Sequence, residues 1–108
     1  LHVYSDPALE HHVNALSGVE VPRRFPAAVA GIEEAGRAGL PVERLPFGPA
    51  GGDALMRVHT GAYVERLRAL SEAGGGYLDP DTALGPSSFE VAALASGAAC
   101  AAVDSALA

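Results

Sequence analysis

The last fifth of the chain is its strongest constraint. From Ser87 or Ser88, read as a helix cap, the segment Phe89–Ala108 reads as a helix running to the chain end. Within it, Val91–Val103 (VAALASGAACAAV) is 13 residues of mostly Ala. A helix with small apolar residues nearly all round is one that a larger body buries, and its slight side chains let a neighbour pack close. A 108-residue chain offers little to bury it against. At 13 residues the stretch falls short of the roughly 18–20 needed to cross a bilayer, and no membrane partner is expected. Leu1–Gly18 lacks the charged start and apolar run of a signal peptide.

The chain opens on Leu1 without an initiator Met and closes at Ala108 with neither a Gly cap nor a Pro stop. The expectation is a single incomplete domain, residues 1–108, cut from something longer. Thirteen Gly and 8 Pro break it into short elements. Leu1–Ser5 and Val42–Phe47 alternate as short strands. Ala8–Leu16 reads as one or two helical turns and Ser17–Val21 as a connector. Arg23–Arg37 carries Phe25, Val29, Ile32 and Ala35 at helical spacing, stopped by Gly39 and Pro41. Asp53 reads as an N-cap. A further helix from about Gly61 aligns Tyr63, Val64, Leu67 and Leu70 and ends at Gly74–Gly76, and Tyr77–Pro86 reads as a loop. Two short strands among about four helices point to an α/β layered fold with its sheet incomplete in this chain.

Seven basic residues, all Arg, stand against 13 acidic ones, a net charge of −6. Phosphate backbones are bound by cations that displace counterions, so nucleic-acid binding is excluded as a function class. The lone Cys100 forms no intrachain disulfide, fits a reducing cytoplasm, and reads as a small core filler.

Chemistry-bearing residues are few. His11-His12 are adjacent, so on a helix their side chains diverge, and no further ligands lie at metal-site spacing. Arg23-Arg24 at a helix start oppose the helix dipole. They face solvent, or pair a carboxylate or line a polar channel. His59 reads as a packing histidine. Asp79-Pro80-Asp81 offers two carboxylates without the further oxygens a hard cation needs, leaving a solvated turn or a ligand-facing loop. Nucleophile-elbow, P-loop and dinucleotide-binding patterns are absent from the sequence.

Three stretches together resemble the N-terminal part of the histone deacetylase superfamily, in particular its bacterial branch of acetoin-utilisation and acetylpolyamine amidohydrolase-like zinc deacylases. Arg57–Leu70 (RVHTGAYVERLRAL) is similar to the family's V-H-T-x-x-Y-V-x-x-L segment. Leu78–Thr82 (LDPDT), with Pro86–Ala99, is similar to its D-x-D-T loop and following Ala-rich helix. Glu20–Phe25 (EVPRRF) resembles H-P-E-x-P-x-R, with Gly18 and Val19 standing where the family has His and Pro.

The resemblance implies an arginase/deacetylase-type fold and, for the full-length parent, a zinc-dependent deacetylase acting on an acyl-lysine or acylated polyamine. It implies that Asp81 contacts substrate at the rim of the active site and that Arg24 lines an internal polar channel. It implies packing roles for His59 and Tyr63. The family's His-His acid–base pair, its Asp/His/Asp zinc ligands and its Tyr follow the Ala-rich helix, so this chain alone is expected to hold no zinc and to be inactive. Its implied partner is the remainder of its own catalytic domain. His11-His12 stands in a different context and inherits no catalytic role. The rival expectation is a small non-catalytic helical interaction or dimerisation module using the last helix; a third is a degenerate family member that has lost its ligands.

Overall fold

A computed structural model describes residues 1–13 and 20–108. The expected helical turns over Ala8–Leu16 and connector over Ser17–Val21 lie partly outside the described residues, and Gly18 and Val19 wholly so. The chain opens with strand β1 (His2–Val3) and a 3₁₀ turn, Pro7–His11, capped by Asp6, whose side chain accepts the Ala8 amide at 2.8 Å. Helix α1 (Arg24–Arg37) follows, then β2 (Glu43–Arg44), the single turn α2 (Gly52–Leu55) and helix α3 (Gly61–Glu72). A hairpin of β3 (Gly76–Asp79) and β4 (Thr82–Leu84) leads into α4 (Ser88–Leu107).

β1 and β2 pair in parallel, with His2 opposite Glu43 and Val3 opposite Arg44. Parallel neighbours need a crossover, and α1 lies in the connection between them, as the α/β reading requires. Phe25, Val29, Ile32 and Ala35 are all half-buried along α1, the face their spacing predicts. Arg44 ties β2 to its surroundings through Ser5 Oγ at 2.6 Å and Glu33 at 3.3 Å.

The Tyr77–Pro86 expectation is corrected: the segment is an antiparallel hairpin, with Tyr77 opposite Ala83 and Asp79 opposite Thr82 and a register shift between Tyr77 and Asp79. Strands of four and three residues are too short to display a period-two pattern, and the irregular register breaks what pattern remains. The mixed α/β structure therefore holds two separate two-stranded sheets among the described residues, where two strands were expected.

One cap differs from expectation in position and another in its bonding. Gly51, not Asp53, is the N-cap of α2; Asp53 sits in its first turn, where a carboxylate faces the positive end of the helix. α4 takes no side-chain cap from Ser87. Its Phe89 amide donates instead to Ser71 Oγ on α3, at 3.1 Å. α3 does have a local cap, Thr60, whose side chain accepts the Tyr63 amide at 3.2 Å. It ends as read: Gly74 and Gly75 adopt φ of 102° and 101°, and the Gly75 amide reaches back to the Leu70 carbonyl at 2.9 Å. That backbone conformation suits glycine because it has no Cβ.

The core is small. Among the described residues Val3, Val64, Ala83 and Ala93 are its buried apolar residues, and α4 buries only Ser88, Ala93 and Gly97. The buried helix expected from composition is largely uncovered within this chain, with Val103 and Leu107 56% and 82% exposed. Cys100 is exposed, not a core filler. Helix α4 also runs through its polar flanks to 20 residues at mean hydropathy 1.3, which by length and composition alone reaches what a membrane crossing needs. The 13-residue count missed this because helix propagation does not stop at Ser88, Glu90 or Asp104. The radius of gyration, 15.4 Å, exceeds the roughly 13 Å of a self-contained domain near 100 residues, and the shortest dimension is 18 Å. The chain is a thin slab with much of α4 uncovered.

Candidate functional site

The β3–β4 turn is built from residues that each favour it. Pro80 presets its own φ and has no N–H to lose, and Asp79 before it has a side chain short enough to bond the backbone two residues on. Asp79 Oδ1 accepts the Asp81 amide hydrogen at 3.1 Å. Pro80 and Asp81 form the two-residue tip, and both are exposed.

The two carboxyls are unequal. Asp79 is held below the usual carboxylate range, first by a hydrogen bond with the Asp81 side chain and then by one with Thr82. Asp81 is pushed up, first by that same bond to Asp79 and then by repulsion from its charge. Two carboxyls this close oppose each other's ionisation, so of the two Asp81 is the one that holds a proton more readily.

Behind the tip, three hydroxyl-centred contacts fix the hairpin to the helices. Ser71 Oγ donates towards the Gly85 and Pro86 carbonyls, both at 3.0 Å, while accepting from Phe89. Ser88 Oγ accepts the Gly85 amide at 2.7 Å and lies 2.7 Å from His12 Nδ1. His12 is half-buried and His11 exposed, so the tandem pair diverges as its adjacency dictates. Neither Ser71 nor Ser88 was singled out as a functional residue. Ser71 is seven residues after the buried Val64, on the same helical face, and that spacing was the available signal. His12's partner is 76 residues away, and nothing local announces it.

A cavity of about 580 Å³ opens beside this junction, walled by Phe25, His59, Val64, Leu67, Thr82 and Ser88 among others. Asp81 is not on its wall; its neighbour Thr82 is. Arg24, the first residue of α1, lines a smaller cavity of about 180 Å³ together with His12, Glu20 and Phe25, which also line the larger one. His59, on the cavity wall, packs on Tyr63 with ring centroids 5.3 Å apart, and both residues are exposed instead of sitting in a core. Among the described residues no group of three His, Cys, Asp or Glu side chains could hold a metal ion.

No family model matches the chain. It is 52% identical over 60 residues to a histone deacetylase-like amidohydrolase of Pseudomonas aeruginosa, a match covering 56% of this chain and 16% of that protein. It is 45% identical over 60 residues to a probable deacetylase of Methanothermobacter thermautotrophicus, covering 56% of this chain and 18% of the relative. Its fold superposes on the HD domain of HDA15 with a TM-score of 0.77 at 25% identity, over 88% of this chain and 28% of that one. The matches thus span less than a third of each relative's length. An arginase/deacetylase-type α/β arrangement and these relatives agree with the three sequence stretches: over the part of the domain that it spans, the chain is similar to members of the histone deacetylase superfamily.

Proposed function

We propose that this segment is the N-terminal part of a zinc-dependent deacylase that removes an acyl group from an acyl-lysine or an acylated polyamine. The observation that carries the reading is the 52% identity to a histone deacetylase-like amidohydrolase. In this reading the zinc and the acid–base groups belong to other parts of the parent protein, and this chain on its own is inactive. Its contribution is positional. Asp81 presents an acceptor at the hairpin tip, and a carboxylate there receives an N–H of the substrate in a charge-assisted hydrogen bond. An anionic rim suits an amide-bearing or cationic substrate. Arg24 contributes its cation to an internal polar channel, which accounts for an arginine at a helix start.

The test is made on the intact parent protein with an acyl-lysine peptide and an acylpolyamine. Turnover of at least one is expected, abolished by chelation and restored by zinc. Asp81→Ala is expected to raise KM about 10- to 100-fold, the usual worth of a hydrogen bond to a charged group, with kcat less affected. Absence of turnover on both substrates would overturn the deacylase reading. The exposed Val103 and Leu107 of α4 favour a second one, a dimerisation module, which predicts a dimer of this chain in analytical ultracentrifugation.

A further inference from the structure

The hairpin tip carries a second carboxylate whose geometry goes beyond solvation. Asp79 ends β3 and Thr82 begins β4, so Asp81 has one residue, Pro80, between it and the first strand. Pro80 fixes one backbone torsion of the tip. The next restraint is the Asp79 Oδ1 contact to the Asp81 amide at 3.1 Å. With the strand pair staggered between Tyr77 and Asp79, a regular cross-strand ladder does not by itself align the tip.

We propose that Asp79 is a positioning residue for Asp81: its Oδ1 anchors the Asp81 amide and so sets the direction in which the Asp81 carboxyl meets a substrate N–H. The inference rests on the deacylase reading, in which Asp81 is the rim acceptor, and adds a residue to it. Asp79 also acts on the proton. Among the described residues it is the charged group that acts on Asp81, with Thr82 the other side chain bonded there. The Asp79 charge disfavours ionisation of Asp81, and an N–H donor bound at Asp81 offsets that repulsion.

Two substitutions separate geometry from charge. Asn at position 79 keeps an Oδ1 acceptor and removes the charge; Ala removes both. Steady-state kinetics of the intact parent protein as a function of pH, with an acyl-lysine peptide, read the difference. Asp79→Ala is expected to raise KM about three- to tenfold, the effect of one ordinary hydrogen bond, with kcat unchanged. Asp79→Asn is expected to hold KM at neutral pH and to move the acid limb of kcat/KM to lower pH, because Asp81 then ionises without a charged neighbour. If Asp79→Ala leaves KM unchanged while Asp81→Ala raises it, the positioning role falls and the rim reading stands. An unaffected Asp81→Ala variant removes the rim reading itself. Equal KM increases in both Asp79 variants would assign the effect to charge and overturn the positioning role. Should Asp79→Ala fail to fold, Asp79→Leu, near the native size but without an acceptor, takes its place: a three- to tenfold higher KM that Asp79→Asn does not share supports the proposal, and an unchanged KM overturns it.

Discussion

Ser71 on α3 holds the first turn of α4 at Phe89, its Oγ accepting the Phe89 amide hydrogen at 3.1 Å across 18 residues of sequence. The first amides of a helix have no partner within it, and local Ser or Asp side chains usually serve. Here the partner arrives from the neighbouring helix. The same hydroxyl faces the Gly85 and Pro86 carbonyls, so one buried atom joins α3, the end of the hairpin and α4.

Ser71→Ala leaves these buried groups unmet. We expect a loss of about 1–3 kcal/mol, read as a lower urea midpoint with an unchanged slope. Ser87→Ala, at the local N-cap with no side-chain bond, is expected to stay within about 0.5 kcal/mol. Equal effects of the two would refute the assignment of the cap to Ser71.

The same substitution should have opposite signs at two helical glycines. A Cβ at Gly97 would run into the Gly48 carbonyl oxygen, where the loop before α2 crosses α4. The Ala50 amide donates to the Ala93 carbonyl at 2.8 Å on that face, so the loop cannot easily withdraw. Gly97→Ala is expected to destabilise by about 1–3 kcal/mol. A Cβ at Gly31 meets nothing within 4 Å, and Gly31→Ala is expected to stabilise by about 0.8–1 kcal/mol through helix propensity alone. Thermal melts of both variants check the pair.

Thr60 gives the V-H-T stretch a structural meaning, since its side chain caps α3 at the Tyr63 amide. Thr60→Ala should cost about 1 kcal/mol and Thr60→Ser should restore most of it. A Thr60→Ala variant as stable as the parent would show that the cap contributes nothing to the fold.

The Asp pair predicts opposing pH slopes. Asp79 is lowered, so its contribution to stability is present above the usual carboxylate range and is lost as pH falls through its folded value. Asp81 is raised, so its contribution is present at acid pH, below its ordinary value, and is lost as pH rises through its folded value. In Asp81→Asn the second slope is expected to vanish and the first to persist. Urea midpoints followed across the acid range test this, and a slope near the raised Asp81 value that survives the substitution would contradict it.

The sequence by itself determined the local structure that short-range rules govern. The α1 face of Phe25, Val29 and Ile32, the end of α3 at Gly74 and Gly75, and the α/β alternation of the first half all follow from spacing, glycine and strand–helix order. The order of three short stretches carried the resemblance to the histone deacetylase superfamily, and Asp81 and Arg24 were named from that resemblance. What lay beyond sequence was whatever depends on a distant partner. The hairpin was hidden because its strands are too short to show a period and gain their hydrogen bonds from each other. Ser87 stands at the N-cap position of α4 as read, but the hydroxyl that meets the Phe89 amide comes from Ser71 on α3. The Asp79–Asp81 contact needed the turn's actual geometry, since two carboxylates two residues apart are an ordinary solvated pair until a backbone brings one onto the other's amide. The exposure of Cys100, Val103 and Leu107 is also a tertiary result. Composition makes α4 a helix fit for burial, but only the surfaces packed against it decide how much of it is covered.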